Sequence, residues 1–290
     1  MPPIHLGIST CPNDTFAFHA LLNRRVDWRG LDFHVELLDV QELNERLARG
    51  EFDVAKASFF AALRMTDRLG VFRSGSALGY SVGPLLLAAA NTGPPSDAWR
   101  DAQGTMREPR VLCPGEATTA HLLYRLFHGQ GQVEYAVFSD IMPSLQAGTA
   151  DYGVCIHEGR FTWQEQGLHR VEDLGERWEQ ATNSPLPLGG ILGRLSLDRD
   201  TLDRVQQVIH ESVRYGLDHR DETLPTMRHY AQEFNDDVLF AHVDLYVNDW
   251  TVDLGESGER ALAELRARAI AVGLVPETSP ALQLLGQAAS

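Results

Sequence analysis

A β-leaning run, a turn and a helix-periodic run follow one another down the first third of the chain, stop, and then begin again. This alternation constrains the fold more than any other feature. Strands separated by helices need crossover connections, and these build a parallel sheet covered by helices. The first series has strands at 4–9, 31–38 and 52–58, with helical patterns at 15–22 and 41–49. Two further β-leaning runs, 72–78 and 82–89, flank Gly79-Tyr80-Ser81. The stretch Asn91-Thr92-Gly93-Pro94-Pro95-Ser96-Asp97 then breaks the pattern and is the best boundary in the sequence.

The second series has strands at 110–113, 133–138 and 152–156, with helices at 118–127 and 140–146. After Pro185-Leu186-Pro187 the run 188–192 reads as a return to the first unit, and from Asp200 onward the pattern is mainly helical. The expectation is an α/β protein of two lobes, the second inserted into the first and hinged on it. Lobe I takes 1–92 with 188–290, and lobe II takes 93–187. At 290 residues and 43% hydrophobic content the chain can fill two cores.

The formal charge of −15 argues against nucleic-acid and anionic-membrane partners, which need basic patches. A local field can still receive a small anion. Three widely spaced cysteines, Cys11, Cys113 and Cys155, do not suggest a disulfide framework. No CxxC and no zinc-like Cys/His spacing occurs, and no run approaches the ~20 apolar residues of a membrane span. The first residues enter a strand without the basic-then-apolar pattern of an export signal. These features lead us to expect a reduced, soluble, cytoplasmic protein. The sequence leaves its oligomeric state open.

In parallel α/β sheets ligands sit beyond the carboxyl ends of the strands. Four segments occupy such places: Ser9-Thr10-Cys11-Pro12-Asn13-Asp14, Lys56-Ala57-Ser58, Gly115-Glu116-Ala117-Thr118-Thr119, and His157-Glu158-Gly159-Arg160. Facing lobes would bring all four into one cleft. Lys56 is the single lysine of a chain that otherwise uses arginine. Lysine is a compact point charge and arginine a broad planar fork, so the exception suggests a place too narrow for a guanidinium, unless it is chance. Asn13 and Asp14 serve as helix caps or as ligand contacts, and Thr118 and Thr119 as caps or as hydroxyls beside a helix N-terminus that receives a carboxylate. His157 ends an apolar strand, where histidine acts as a structural group or as a general base. Cys11 reads as a small packing residue. No GxGxxG, no Gly-Lys-Ser/Thr, no helical zinc motif and no GxSxG elbow is present.

The same segments carry a family resemblance. Ser9-Thr10-Cys11-Pro12-Asn13-Asp14-Thr15-Phe16, Lys56-Ala57-Ser58, Arg73-Ser74-Gly75-Ser76-Ala77-Leu78-Gly79, Pro114-Gly115-Glu116-Ala117-Thr118-Thr119-Ala120, Ile156-His157-Glu158-Gly159-Arg160-Phe161-Thr162, Leu186-Pro187-Leu188-Gly189 and His242-Val243-Asp244-Leu245-Tyr246-Val247-Asn248 together resemble the 1,4-dihydroxy-6-naphthoate synthases of the futalosine route to menaquinone. The resemblance implies a type II periplasmic-binding-protein-like fold without an export signal, and no metal or redox cofactor. It implies cleavage of cyclic dehypoxanthinyl futalosine, a small-molecule carboxylate, to 1,4-dihydroxy-6-naphthoate and dihydroxyacetone. The histidine at His157 is then the proton acceptor. Lys56, Ala57, Ser58, Thr118 and Thr119 contact the substrate, and Asn13 and Arg160 join them as binding candidates. The alternatives are chorismate dehydratase of the same pathway and a non-catalytic small-anion-binding protein. A transcriptional regulator's effector domain fits less well, because no helix-turn-helix precedes the lobes.

Overall fold

The computed structural model describes residues 2–90, 93–96, 100, 104–129, 131–157, 159–231 and 235–287. The chain divides into two compact units, residues 1–79 with 187–290, and residues 80–186.

In chain order the strands are β1 (Ile4–Ser9), β2 (Phe33–Leu38), β3 (Val54–Ser58), β4 (Leu69–Phe72), β5 (Ala77–Gly79), β6 (Leu85–Ala88), β7 (Arg110–Cys113), β8 (Gln132–Tyr135), β9 (Tyr152–Cys155), β10 (His169–Asp173), β11 (Leu186–Arg194) and β12 (Gln283–Leu285). The first unit's sheet runs β12-β4-β11-β3-β1-β2, with β5 paired to β11. β1 lies parallel to β2 and to β3, with Gly7 opposite Ala55. β11 is antiparallel to both β3 and β4, so the sheet is mixed and not purely parallel as the alternation predicts.

All five residues of β3 are buried, as expected of a central strand covered on both faces. One face packs Ile4, Leu6 and Ile8 against the long helix Arg199–Asp218. That helix buries Leu202, Val205, Ile209, Val213 and Gly216, a spacing of three and four that marks one inward face. Asp198 caps it, accepting from the Thr201 backbone N–H at 2.9 Å.

The second unit has the sheet β10-β6-β9-β7-β8. β7 is parallel to β8 and β9, while β6 is antiparallel to β9 and β10. Its core holds Leu85, Leu87, Leu112, Ile141, Leu145 and Cys155. β6 precedes the Gly-Pro stretch at 91–97 yet hydrogen-bonds in this second sheet. Asn91, Thr92 and Asp97 lie outside the described residues.

Three local differences have plain causes. The run 72–78 splits into β4 and β5, because Gly75 at φ +90° turns the chain between them. β10 is edge-placed and mostly exposed at its start, so its sequence His-Arg-Val-Glu-Asp shows no apolar run. The first helix is Pro12–Ala17, with Cys11 at the N-cap position and Pro12 opening the helix, so neither Asn13 nor Asp14 caps it.

Candidate functional site

In the first unit the parallel neighbours β1 and β3 end side by side, and the candidates follow from those two ends. Lys56 sits within β3 and is 5% exposed. Its Nζ donates to Asp14 Oδ1 at 2.7 Å and to the Gly75 carbonyl at 3.2 Å. Asp14, itself 3% exposed, also accepts from Asn13 Nδ2 at 3.0 Å. A buried ammonium without a counter-charge would be expelled or neutralised, so the carboxylate in the helix that follows the adjacent strand completes the lysine. The second contact depends on Gly75, which has a positive φ and where an added Cβ would meet Ile191 Cγ1 at 2.5 Å.

Ser58 lies two residues beyond Lys56 and therefore on the same face of β3. Its backbone N–H donates to Asn44 Oδ1 at 2.9 Å, and its Oγ accepts from Asn44 Nδ2 at 3.1 Å. Ala57 alternates to the other face, where it is fully buried opposite Gly190 of β11. Only its backbone can meet a ligand on the Lys56 face. Cys11 Sγ accepts from Ser9 Oγ at 2.9 Å, a packing arrangement rather than a nucleophile–base pair.

In the second unit β7 and β9 are the matching parallel neighbours. After β7, Thr118 is the N-cap of the helix Thr119–Phe127. Its Oγ1 accepts from the His121 N–H at 3.3 Å and donates to the Gly115 carbonyl at 2.8 Å. Thr118 and Thr119 are each 3% exposed. His121 Nδ1 lies 2.8 Å from the Glu116 carbonyl, which pins the turn that presents both threonines.

After β9, His157 has φ +54°, the left-handed region. Its ring meets Phe138 edge to face, with centroids 4.9 Å apart. A non-glycine residue held left-handed costs free energy, and such residues concentrate where the chain must aim a functional group. Glu158 lies outside the described residues. Arg160 is committed locally: its guanidinium donates to Asp173 Oδ2 and to the Gly83 carbonyl, both at 2.6 Å. The Asp173 side chain is fully buried, and its other oxygen caps the helix Leu174–Thr182 through the Gly175 and Glu176 N–H groups. Gly83 and Gly175 approach so closely that a Cβ on Gly83 would lie 2.2 Å from the Gly175 Cα.

The structure thus gathers Asn13, Lys56 and Ser58 in the first unit and the Thr118–Thr119 and His157 segments at one end of the second unit's sheet. It gives Arg160 a structural ion pair. The sequence reading lacked Asp14 as the partner of Lys56. The available signal was chemical: a lone lysine in a fully buried strand needs a carboxylate, and the helix after the first strand supplies Asp14. Cys155 is an inert thiol, pushed by burial up to about 12, and burial raises Cys113 further still. No described helix is long and apolar enough to cross a membrane.

Comparison with known proteins gives these features a lineage. A family model described as menaquinone biosynthesis matches residues 4–271. A 1,4-dihydroxy-6-naphthoate synthase of Thermus thermophilus is 42% identical over 275 residues, covering 94% of this chain and 96% of its own. A second, from Streptomyces coelicolor, is 39% identical over 284 residues and covers 96% of each. A solved Archaeoglobus fulgidus protein matches with a TM-score of 0.86 at 26% identity over 94% of this chain and 98% of its own. The alkanesulfonate-binding protein SsuA of Xanthomonas axonopodis matches at a TM-score of 0.68 and 14% identity over 99% of each chain, a likeness that shows the periplasmic-binding-protein fold alone. With the family model spanning most of the sequence and both synthases aligned nearly end to end, this chain belongs to the menaquinone-biosynthesis family.

Proposed function

We propose that the chain is a cytoplasmic carbon–carbon lyase that splits cyclic dehypoxanthinyl futalosine into 1,4-dihydroxy-6-naphthoate and dihydroxyacetone. The observation that carries this reading is the 39–42% identity to two synthases over nearly the whole chain. Within it, His157 is the general base. Its left-handed backbone at a strand end, braced by Phe138, supports a ring aimed for proton transfer. Loss of the proton starts the elimination, the three-carbon fragment leaves, and aromatisation of the remaining ring drives the reaction forward.

On this reading Lys56, Ser58, Thr118 and Thr119 contact the substrate. Asp14 and Gly75 take two of the three ammonium protons of Lys56, and the third is suited to a carboxylate or developing oxyanion. Asn13 orients Asp14. Arg160 contributes by fixing the segment that carries His157 rather than by binding substrate directly.

Incubation of the purified chain with the cyclic substrate tests this reading. Release of the naphthoate chromophore is expected, and chorismate should be left unchanged. Turnover of chorismate without naphthoate release would assign the chain to the dehydratase reaction instead.

A further inference from the structure

Away from these residues, the register of two parallel strands builds a second constellation. His5 of β1 stands opposite His34 of β2, and Glu36 follows two positions along the same strand, on the same face as His34. One ligand atom from each of His5, His34 and Glu36 lies within 4.8 Å of the others. The sequence hides the group, because His5 and His34 are far apart along the chain and come together only through strand pairing.

The hydrogen bonds of His5 decide what the group can hold. Its Nδ1 lies 2.7 Å from the Glu51 carbonyl, which can only accept, so Nδ1 carries a proton. Packing against Phe52, with ring centroids 4.7 Å apart, fixes the ring plane. Nε2 is therefore turned toward Glu36 Oε1 at 2.5 Å. A lone pair facing a carboxylate oxygen at that distance is repulsive unless a cation stands between them, either a second ring proton or a metal ion. A backbone carbonyl holding one imidazole nitrogen while the other faces an acidic ligand is also the usual outer support of a metal-bound histidine.

His34 separates the two possibilities. An imidazolium at His5 is satisfied by Glu36 alone and has no use for a second imidazole beside it. The His34 ring lies with its centroid 5.1 Å from that of His5, and it is exposed, so it can swing inward. Glu36 is held in place by Arg46. Arg46 does not monopolise it. Its Nη1 donates to Glu36 Oε2 at 2.8 Å and its Nε to Glu51 Oε2 at 2.8 Å, while Oε1 receives only the longer 3.1 Å contact from Nη2.

We propose that His5 Nε2, a His34 ring nitrogen and Glu36 Oε1 form a binding site for one divalent transition cation, with Zn²⁺ the best match to two imidazoles and a carboxylate. Metal–ligand distances of about 2.0–2.2 Å require the His5–Glu36 gap to open and His34 to close in, leaving a fourth position for water. The ion would join the edge strand β2 to β1.

The full chain, stripped with chelator and titrated with ZnCl₂ by calorimetry, tests the site. One equivalent should bind, and His34→Ala should weaken it at least tenfold. Because His34 is exposed, that variant should fold normally. His5→Ala should also lose the site, but it removes a packed ring, so His34→Ala carries the test. Zn²⁺ should raise the wild-type melting temperature and leave that of His34→Ala unchanged. In ¹⁵N-resolved imidazole spectra the His5 Nε2 resonance should move to the metal-bound range. Binding of equal strength in His34→Ala, or no binding at one equivalent in the wild type, would overturn the proposal and leave His5–Glu36 as an ion pair.

Discussion

Lys56 and Asp14 form a buried ion pair, and the proposed function gives Lys56 a chemical role besides that structural one. Both are almost fully buried, and their 2.7 Å contact compensates two charges taken out of water. Lys56→Met leaves the Asp14 carboxylate unpaired and should cost about 3–5 kcal/mol of unfolding free energy. Adding Asp14→Asn removes the orphaned charge and should restore most of that stability, readable as the midpoint of a denaturant titration. Turnover should stay low in the double variant, because the ammonium proton offered to substrate is still missing. Lys56→Arg should also be impaired, since the wider fork meets an all-buried strand. If turnover returned with stability in the double variant, the pair would be structural only.

His157 separates the two roles in the opposite direction. Its φ of +54° is a conformation that asparagine also tolerates. His157→Asn should therefore hold stability within about 1 kcal/mol of wild type while turnover falls roughly 10²–10⁴-fold. Single-turnover kinetics would read the second effect and a thermal melt the first. A variant that lost stability but kept turnover would remove His157 from the chemistry.

At the scale of elements, the turns that follow strands hold the capping and ion-pair contacts that fix the candidate residues. Thr118 caps its helix through the His121 N–H, so Thr118→Ala should cost about 1 kcal/mol by urea unfolding, whatever it does to catalysis. Arg160→Ala should cost more, about 3–5 kcal/mol, because it strands the buried Asp173 carboxylate that also caps the following helix. These positions show what the sequence could reveal. The strands β1, β3, β7 and β9 were legible because buried strands read as short apolar runs, and the helix after Thr118 because its apolar residues recur at helical spacing. β10 was not legible, since an edge strand with polar residues lacks either signature. Candidate residues at strand ends could be picked out by position, whereas the pairing of Lys56 with Asp14 and of Arg160 with Asp173 depends on register and loop geometry that no local pattern encodes.

At the scale of the molecule, two buried histidines set the expected response to acid. His19 in the first unit and His128 in the second both have pKa values lowered from the ordinary 6.5, each mainly by desolvation. For His128 this outweighs the hydrogen bond it donates to Glu172, which acts in the raising direction. A histidine whose folded pKa is depressed binds fewer protons folded than unfolded. Its contribution is therefore constant above about 6.5 and is lost as the pH falls through the window between the unfolded and folded values. Denaturant midpoints should decline as the pH is lowered from about 7.5 to about 5.5, and His128→Asn should flatten the decline. An unchanged slope in that variant would move the effect elsewhere.

The reaction is tested most directly by following its two products. Wild-type chain and His157→Asn are each incubated with cyclic dehypoxanthinyl futalosine, and 1,4-dihydroxy-6-naphthoate and dihydroxyacetone are quantified by chromatography. The account predicts both products in equal amounts from the wild type and a rate lower by roughly 10²–10⁴-fold from the variant. No naphthoate from the wild type, or the same rate from the folded variant, would contradict it.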